Sequence, residues 1–214
     1  MRKLLLVTFL LSCAPLAKPS TIPSPTAILD ASVAISVLCP DGSMWVGSGV
    51  AIGPDRVLTA RHVVDCDGVP PYLMAVETND DQSYKAGVVE LAREGVDVAL
   101  IAVYAKDATP LPYVRVAASP QRPTGNVCLY SANPHKTWRY QCGHITGWLD
   151  GEVVEWADGT SNVGNGMLTY NNMSEPGTSG SGVFNAQGEL IGIHVGKNAK
   201  IGLAWWVGEF RNLL

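Results

Sequence analysis

Short apolar runs separated by turn residues are the feature that most limits how this chain can fold. Its 214 residues include 22 Gly and 14 Pro, which interrupt the apolar runs before any reaches the length of an amphipathic helix. This pattern excludes a helical bundle or coiled coil and is typical of short strands joined by turns. Charged residues make up 16% of the chain and the net charge is −4, so no electrostatic surface for nucleic acid is expected.

The runs form two halves of similar size. The first half predicts six strands, a density typical of a small antiparallel barrel, at residues 31–38, 45–52, 56–59, 73–77, 84–91 and 96–103. A Pro-rich stretch then predicts a linker. The second half contains further strand-like runs at residues 126–131, 138–145, 152–156, 167–170, 182–184, 190–194 and 203–207. The last residues, 207–214, predict a short C-terminal helix that packs Phe210 and Leu213 against the body.

The N-terminus has the features of an export signal. A positively charged start precedes an apolar run of eight residues from Leu4 to Leu11, too short for the roughly 20 residues of a membrane-spanning helix. Residues 10–12 followed by Cys13 resemble a bacterial lipobox, which implies removal of residues 1–12 and acylation of Cys13. Residues 13–27 would then be a lipidated Cys and a Pro/Ser-rich tether, holding a lipoprotein in the cell envelope. The alternative is ordinary cleavage near Ala17 and secretion.

Export also bears on the other cysteines, because an oxidising compartment favours pairing of an even set. Of the three pairings possible for the four that remain, we favour Cys39 with Cys66 and Cys128 with Cys142, since each closes a local loop. A metal site is a weaker alternative, because no cysteines are spaced as C-x-x-C and the histidines are scattered. We therefore expect no metal and no cofactor.

Three segments carry residues suited to catalysis. His62 follows the predicted strand 56–59, in T-A-R-H, and Asp97 lies in the apolar run G-V-D-V-A-L-I. A carboxylate in a strand bound for burial is costly unless a partner pairs with it. Ser179 lies in the Gly-interrupted turn P-G-T-S-G-S-G-V, ahead of the strand-like segment G-I-H-V-G. Each feature alone is common in structural roles. A Ser nucleophile, however, needs a base and a group that orients that base, and His and Asp can supply these two roles.

The joint pattern resembles the chymotrypsin-like (trypsin-fold) serine protease family. The resemblance covers residues 28–214 and rests on T-A-x-H, D-V-A-L-I, G-x-S-G-S and G-I-H-V-G in that order. It implies an all-β fold of two six-stranded antiparallel Greek-key barrels with the active site in the cleft between them. The domains would be an N-terminal barrel at 28–109, a linker at 110–125, a C-terminal barrel at 126–206 and a helix at 207–214.

The resemblance also assigns roles to residues. It implies that Ser179 attacks the scissile carbonyl, that His62 takes and returns the proton, and that Asp97 orients the imidazole. The backbone N–H groups of Gly177 and Ser179 would form the oxyanion hole. Ser181 is a rival nucleophile by composition. We favour Ser179, because the family's Ser follows Gly-x and precedes Gly, as Ser179 does.

Several residues depart from the family pattern or compete with it. Asp65 and Asp67 are nearer to His62 in sequence than Asp97 is, but we expect them in a solvated loop beside Cys66. Thr178 occupies the place of the Asp that pancreatic-type enzymes pair with a new N-terminus on activation, so that trigger is absent. Val195 stands where many relatives carry a Ser that helps to hold the acid.

The specificity pocket is predicted around His194 and Ser174. This pair is similar to glutamyl endopeptidases, in which a His and a hydroxyl bind the Glu side chain of the substrate. The segment G-I-H-V-G is also similar to picornavirus-type proteases, which read Gln. The resemblance implies further that Val195 and Gly196 offer a strand edge to the substrate backbone.

The sequence therefore predicts an exported, membrane-tethered serine endopeptidase that acts on proteins or peptides as a monomer, through an acyl-enzyme on Ser179. Two alternatives remain open. A catalytically silent binding protein of the same fold would be consistent with Val195 and with Arg61, which replaces a small residue before the His. A lipoprotein barrel that holds a small ligand would explain the strands but leave the ordered His, Asp and Ser as coincidence.

Overall fold

The computed structural model describes residues 25–104, 109–118, 121–132, 137–156, 161–171, 175–198 and 201–214. The predicted signal peptide, Cys13, most of the predicted tether and Ser174 lie outside these ranges. Among the described residues, none of the helices has the length and apolar character that crossing a bilayer requires.

Six antiparallel strands close the first barrel, in the hydrogen-bonded order β1-β2-β3-β6-β5-β4. Its interior is built from the alternating apolar residues of each strand, such as Val33, Ile35 and Val37, which are all buried. The strands are β1 (Ser32–Leu38), β2 (Met44–Gly53), β3 (Arg56–Thr59), β4 (Leu73–Glu77), β5 (Ser83–Leu91) and β6 (Ala99–Tyr104).

A second set of six antiparallel strands closes the other barrel, in the order β10-β11-β12-β9-β8-β7. The two predicted runs 138–145 and 152–156 prove to be one long strand, which pairs with its neighbour through several bulges. The strands are β7 (Asn126–Ala132), β8 (Trp138–Glu155), β9 (Ser161–Tyr170), β10 (Gly182–Phe184), β11 (Leu190–Asn198) and β12 (Ile201–Trp206). The predicted fold class, two six-stranded antiparallel barrels, is confirmed.

Short helices complete the described structure. Helix α2 (Arg61–Val64) follows β3, and a 3-10 helix (Val207–Leu213) ends the chain with Phe210 and Leu213 buried, as predicted. Helix α1 (Pro25–Ala31) was not predicted, and its first three residues belong to the predicted tether. A Pro at the first helical position suits a helix start. The helix contacts β1, β2 and β7, and thus both barrels, and its Ile28 is buried.

The segment between the barrels is bonded to both of them. Leu111 and Val114 donate backbone hydrogen bonds to Pro54 and Ala51 of the first barrel. Further along, the Ala117 N–H donates to the Leu190 carbonyl of β11, and the Leu190 N–H donates to the Arg115 carbonyl. This stretch therefore fastens the second barrel beside the first and fixes the cleft between them.

Two disulfides, Cys39–Cys66 and Cys128–Cys142, add covalent links in the favoured pairing. The first joins the turn after β1 to the segment after α2. The second joins directly opposed residues of β7 and β8.

Candidate active site

His62 and Asp97 meet at the rim of the first barrel. Helix α2 starts two residues after β3 ends, and the buried side chains of Val63 and Val64 anchor it while the His62 side chain remains 46% exposed. The Asp97 Oδ2 lies 2.6 Å from Nδ1 of His62, and the backbone N–H of His62 donates to Oδ1 at 2.9 Å. Both carboxylate oxygens are therefore engaged by one residue, which defines the orientation of the imidazole.

The sequence predicted a strand at residues 96–103, but Asp97 lies outside the strand that forms there. Strand β6 begins at Ala99, and Asp97 belongs to the short irregular segment that precedes it. Its neighbours Val96 and Val98 are buried, which leaves the carboxylate between them partly exposed and directed to His62. The Asp97 carboxylate is thus only partly buried, and it pairs with His62, the partner that the sequence predicts.

Ser179 lies in a tight turn between β9 and β10. Gly177 and Gly180 both adopt φ near +89°, which residues with a Cβ rarely adopt. Within the turn, Thr178 Oγ1 donates to the Glu175 carbonyl at 2.7 Å, and the Ser181 N–H donates to the Thr178 carbonyl at 3.1 Å. This arrangement leaves Ser179 half-buried at the surface of the cleft.

Strand β2 brings the turn and the His62 helix together. A Cβ placed on Gly47 would lie 2.6 Å from both γ-carbons of Val63 in α2 and 3.1 Å from the Ser179 carbonyl oxygen. The next residue, Ser48, donates its N–H to that same carbonyl at 2.8 Å. The helix that carries His62 and the turn that carries Ser179 therefore both pack on one short stretch of β2.

The predicted oxyanion donors have no partner in the described part of the chain. The N–H groups of Gly177 and Ser179 make no hydrogen bond there, whereas the neighbouring N–H groups of Thr178, Gly180 and Ser181 are all bonded. A pair of unused N–H groups in one tight turn can bind a developing negative charge.

The rival residues occupy other environments. Ser181 is fully buried, so its hydroxyl is closed to a polypeptide substrate. Asp67 is exposed, as expected. Asp65 is not simply solvated, because its carboxylate contacts Arg61 at 3.2 Å and accepts the Gly68 N–H at 2.6 Å.

His194 lies in the interior of the second barrel with 1% of its surface exposed. Its Nδ1 is 2.5 Å from the hydroxyl of Tyr170, and burial lowers the pKa of His194 from 6.5 to about 3. The charge of nearby His62 lowers this pKa further, and a hydrogen bond to the Leu203 backbone opposes the change. Burial also raises the pKa of Tyr170, so both groups are uncharged at neutral pH.

Sequence reasoning missed Tyr170, because a lone Tyr at a strand end carries no catalytic pattern. No local signal marks it, because Gly202, whose Cβ would come within 2.8 Å of the Tyr170 ring, lies opposite Tyr170 only once the strands pair. Gly202 thus makes space for the ring that contacts His194.

The end of β11 offers an open strand edge next to His194. Val195 forms a bulge, and Gly196 resumes the pairing with β12. On the other side of β11, the described residues of β10 pair only as far as Ile193. The predicted backbone-binding residues therefore have an edge without a strand partner in the described structure.

No group of three or more His, Cys, Asp and Glu side chains that could hold a metal occurs within the described ranges.

Two closed barrels, with a His–Asp pair on one and a Ser turn on the other, define a trypsin-fold protein. Residues 47–193 match the family described as trypsin-like peptidase domain, and the chain belongs to this family. No curated protein matches the sequence.

Solved structures of bacterial proteases are similar to the chain over most of its length. The Rv3671c protease from M. tuberculosis in its active form has 23% identity and a TM-score of 0.70, over 99% of this chain and 93% of that one. Its inactive form has 25% identity and a TM-score of 0.68, over 92% and 97%. The HtrA-type protease AlgW with a tripeptide has 21% identity and a TM-score of 0.69, over 87% and 60%.

Proposed function

We propose that the protein is a serine endopeptidase that hydrolyses peptide bonds through an acyl-enzyme on Ser179. The observation that carries the proposal is the 2.6 Å contact between His62 Nδ1 and Asp97. The helix that carries His62 packs on β2, the strand that also holds the Ser179 turn. Because Asp97 accepts the proton on Nδ1, the lone pair of the neutral ring lies on Nε2, where a base for a hydroxyl needs it.

The reaction follows from these positions. Ser179 Oγ attacks the substrate carbonyl while its proton passes to Nε2 of His62, and Asp97 stabilises the imidazolium. The carbonyl oxygen takes the negative charge and accepts hydrogen bonds from the N–H groups of Gly177 and Ser179. Collapse of this intermediate breaks the C–N bond, and His62 returns the proton to the leaving amine. Water then attacks the acyl-enzyme with the same base and releases Ser179.

The substrate preference that we propose is Gln or Glu on the acyl side. Tyr170 keeps its proton when buried, and donation of that proton to Nδ1 of His194 leaves the ring's N–H on Nε2. This N–H suits an oxygen acceptor, and the Leu203 carbonyl competes for it. A neutral ring favours the amide of Gln over the carboxylate of Glu, which would be buried without a countercharge.

A map of cleavage sites in a denatured peptide mixture tests both statements. We expect the wild type to cut mainly after Gln, less after Glu, and Ser179→Ala to produce no cuts. Ser181→Ala is the matched control, because it removes a buried hydroxyl from the same turn and should leave cleavage in place. His194→Ala should still cut but lose the preference.

The outcomes separate the alternatives. Cuts by Ser179→Ala would refute the nucleophile, and an unchanged profile for His194→Ala would refute the pocket. A wild type without any cleavage would favour a silent binding protein of this fold.

We propose further that the protein is exported and lipidated on Cys13. Two disulfides favour an oxidising compartment, which supports export. Cys13→Ser should move the protein from the membrane fraction to the soluble fraction and abolish labelling by a clickable palmitate analogue. If the variant still sediments with membranes, the lipid anchor is wrong.

A further inference from the structure

Ser48 in β2 is fully buried, and its polar atoms bond to several other elements. Its N–H donates to the Ser179 carbonyl at 2.8 Å, and its own carbonyl accepts the Thr59 hydroxyl at 2.7 Å. Its Oγ lies 2.8 Å from the Gly177 carbonyl and accepts the Ala132 N–H at 2.9 Å. A hydroxyl has one proton, and the longer contact to the Ala132 carbonyl, 3.4 Å, leaves that proton to Gly177.

These bonds reach both residues of the proposed oxyanion hole. Ser48 holds the carbonyl of Gly177 through its side chain and the carbonyl of Ser179 through its backbone. Gly177 has a φ of +89° and no Cβ, so its backbone has few steric limits of its own. A hydrogen bond on its carbonyl fixes the peptide that follows Gly177, so the preceding peptide, which carries the Gly177 N–H, can turn relative to it only through the φ and ψ angles of Gly177.

Residues 177–181 of the turn carry no charged side chain, and the ion pair at the start of the turn, Arg139 with Glu175, lies within the second barrel. Thr178 stands where pancreatic-type relatives carry the Asp of their activation ion pair, and its hydroxyl bonds inside the turn, to the Glu175 carbonyl. The Ser48 hydroxyl instead comes from the other barrel and connects the turn with Ala132 of β7 as well. It therefore fixes the turn relative to both barrels at one point.

We propose that Ser48 is a positioning residue, which keeps the oxyanion hole assembled before substrate binds and without an activating cleavage. The proposal rests on the proposed peptidase function. Packing supports it, because a Cβ on Gly180 would lie 1.9 Å from the Ser48 carbonyl oxygen and 2.3 Å from the Thr59 hydroxyl. At this fully buried position, a lost hydroxyl leaves the Gly177 carbonyl and the Ala132 N–H without their partner.

Ser48→Ala tests the inference, with Ser32→Ala as the matched control. Ser32 is also fully buried in the first barrel, and its hydroxyl also donates to a backbone carbonyl, that of Ile28 at 2.7 Å. We expect Ser48→Ala to lower kcat about 10- to 100-fold with KM nearly unchanged, somewhat less than the loss of an oxyanion donor itself. Ser32→Ala should lose stability but keep its kcat.

A second readout separates positioning from a general loss of structure. A peptide aldehyde forms a hemiacetal whose oxygen occupies the oxyanion hole, whereas the matching peptide alcohol has no carbonyl and forms no hemiacetal. Ser48→Ala should weaken binding of the aldehyde about 10-fold or more and leave the affinity for the alcohol unchanged. Ser48→Thr, which keeps the hydroxyl, should restore the affinity for the aldehyde. If Ser48→Ala does not fold, Ser48→Cys gives the same comparison with a side chain of similar size and a weaker donor.

Equal kcat in Ser48→Ala and Ser32→Ala, or parallel loss of affinity for the aldehyde and the alcohol, would overturn the inference. A wild type that neither cleaves peptides nor binds the aldehyde would instead overturn the proposed function and the inference with it.

Discussion

His194 must remain neutral while the protein is folded. Burial lowers the pKa of this residue to about 3, whereas an unfolded chain gives it a pKa near 6.5. Between these values only the unfolded state binds the additional proton. The stability that neutral His194 contributes is therefore complete above pH 6.5 and is lost as the pH falls towards 3.

This difference predicts a pH dependence that belongs to a single side chain. The free energy of unfolding should fall by up to about 1.4 kcal/mol per pH unit below pH 6.5 through His194 alone. His194→Gln keeps a polar partner for Tyr170 but cannot take up a proton, so its unfolding free energy should change less over this range. Urea unfolding of both proteins at pH 7, 6, 5 and 4 measures the difference. Equal slopes would show that His194 does not titrate in this way.

The candidate site could be predicted from the sequence only where short motifs carry it. The order His62, Asp97 and Ser179 is readable because each lies in a local pattern. The contact between Tyr170 and His194 joins residues 24 positions apart and depends on strand pairing. The role proposed for Ser48 was equally hidden, because a Ser between two Gly residues resembles any small residue in a strand.

At the scale of elements, the two disulfides fasten different kinds of structure. Cys66 lies two residues after α2, so its bond to Cys39 restrains the helix that carries His62. Cys128 and Cys142 are directly opposed in β7 and β8, which the hydrogen bonds of the sheet already hold together.

Removal of each disulfide should therefore affect stability and activity differently. For loops of 27 and 14 residues, chain entropy predicts a loss of about 3 kcal/mol in either case, slightly more for Cys39–Cys66. The activity of folded Cys39→Ala/Cys66→Ala should fall severalfold, whereas Cys128→Ala/Cys142→Ala should keep that of the wild type. Unfolding curves and active-site titration measure the two quantities. Similar activities would mean that the first disulfide does not restrain α2.

Alternation and turn residues located most strands but not every boundary. Residues 56–59, 73–77 and 182–184 are strands with the predicted bounds, because apolar runs there end at clear turn residues. Strand β8 was divided in two, since Gly147 and Gly151 in its middle look like turn residues. Helix α1 was missed because its Pro/Ser-rich surroundings hide the burial of Ile28, which depends on both barrels.

At the scale of the whole molecule, one hydrophobic cluster includes buried residues of both barrels. Ile35 and Val63 of the first half belong to the same cluster as Phe184 and Trp205 of the second. The sequence predicts two barrels from strand density and motif order, but it cannot show how their surfaces pack. That packing places the helix that carries His62 and the turn that carries Ser179 on the same stretch of β2.

The two barrels also divide the proposed machinery unequally. His62 and Asp97 come from the first barrel, and Ser179 comes from the second. A chain cut within residues 121–124 would thus give one fragment with a base and no nucleophile, and another with a nucleophile and no base. Neither could hydrolyse a peptide alone, so proteolysis restored on mixing the two would report directly on their association.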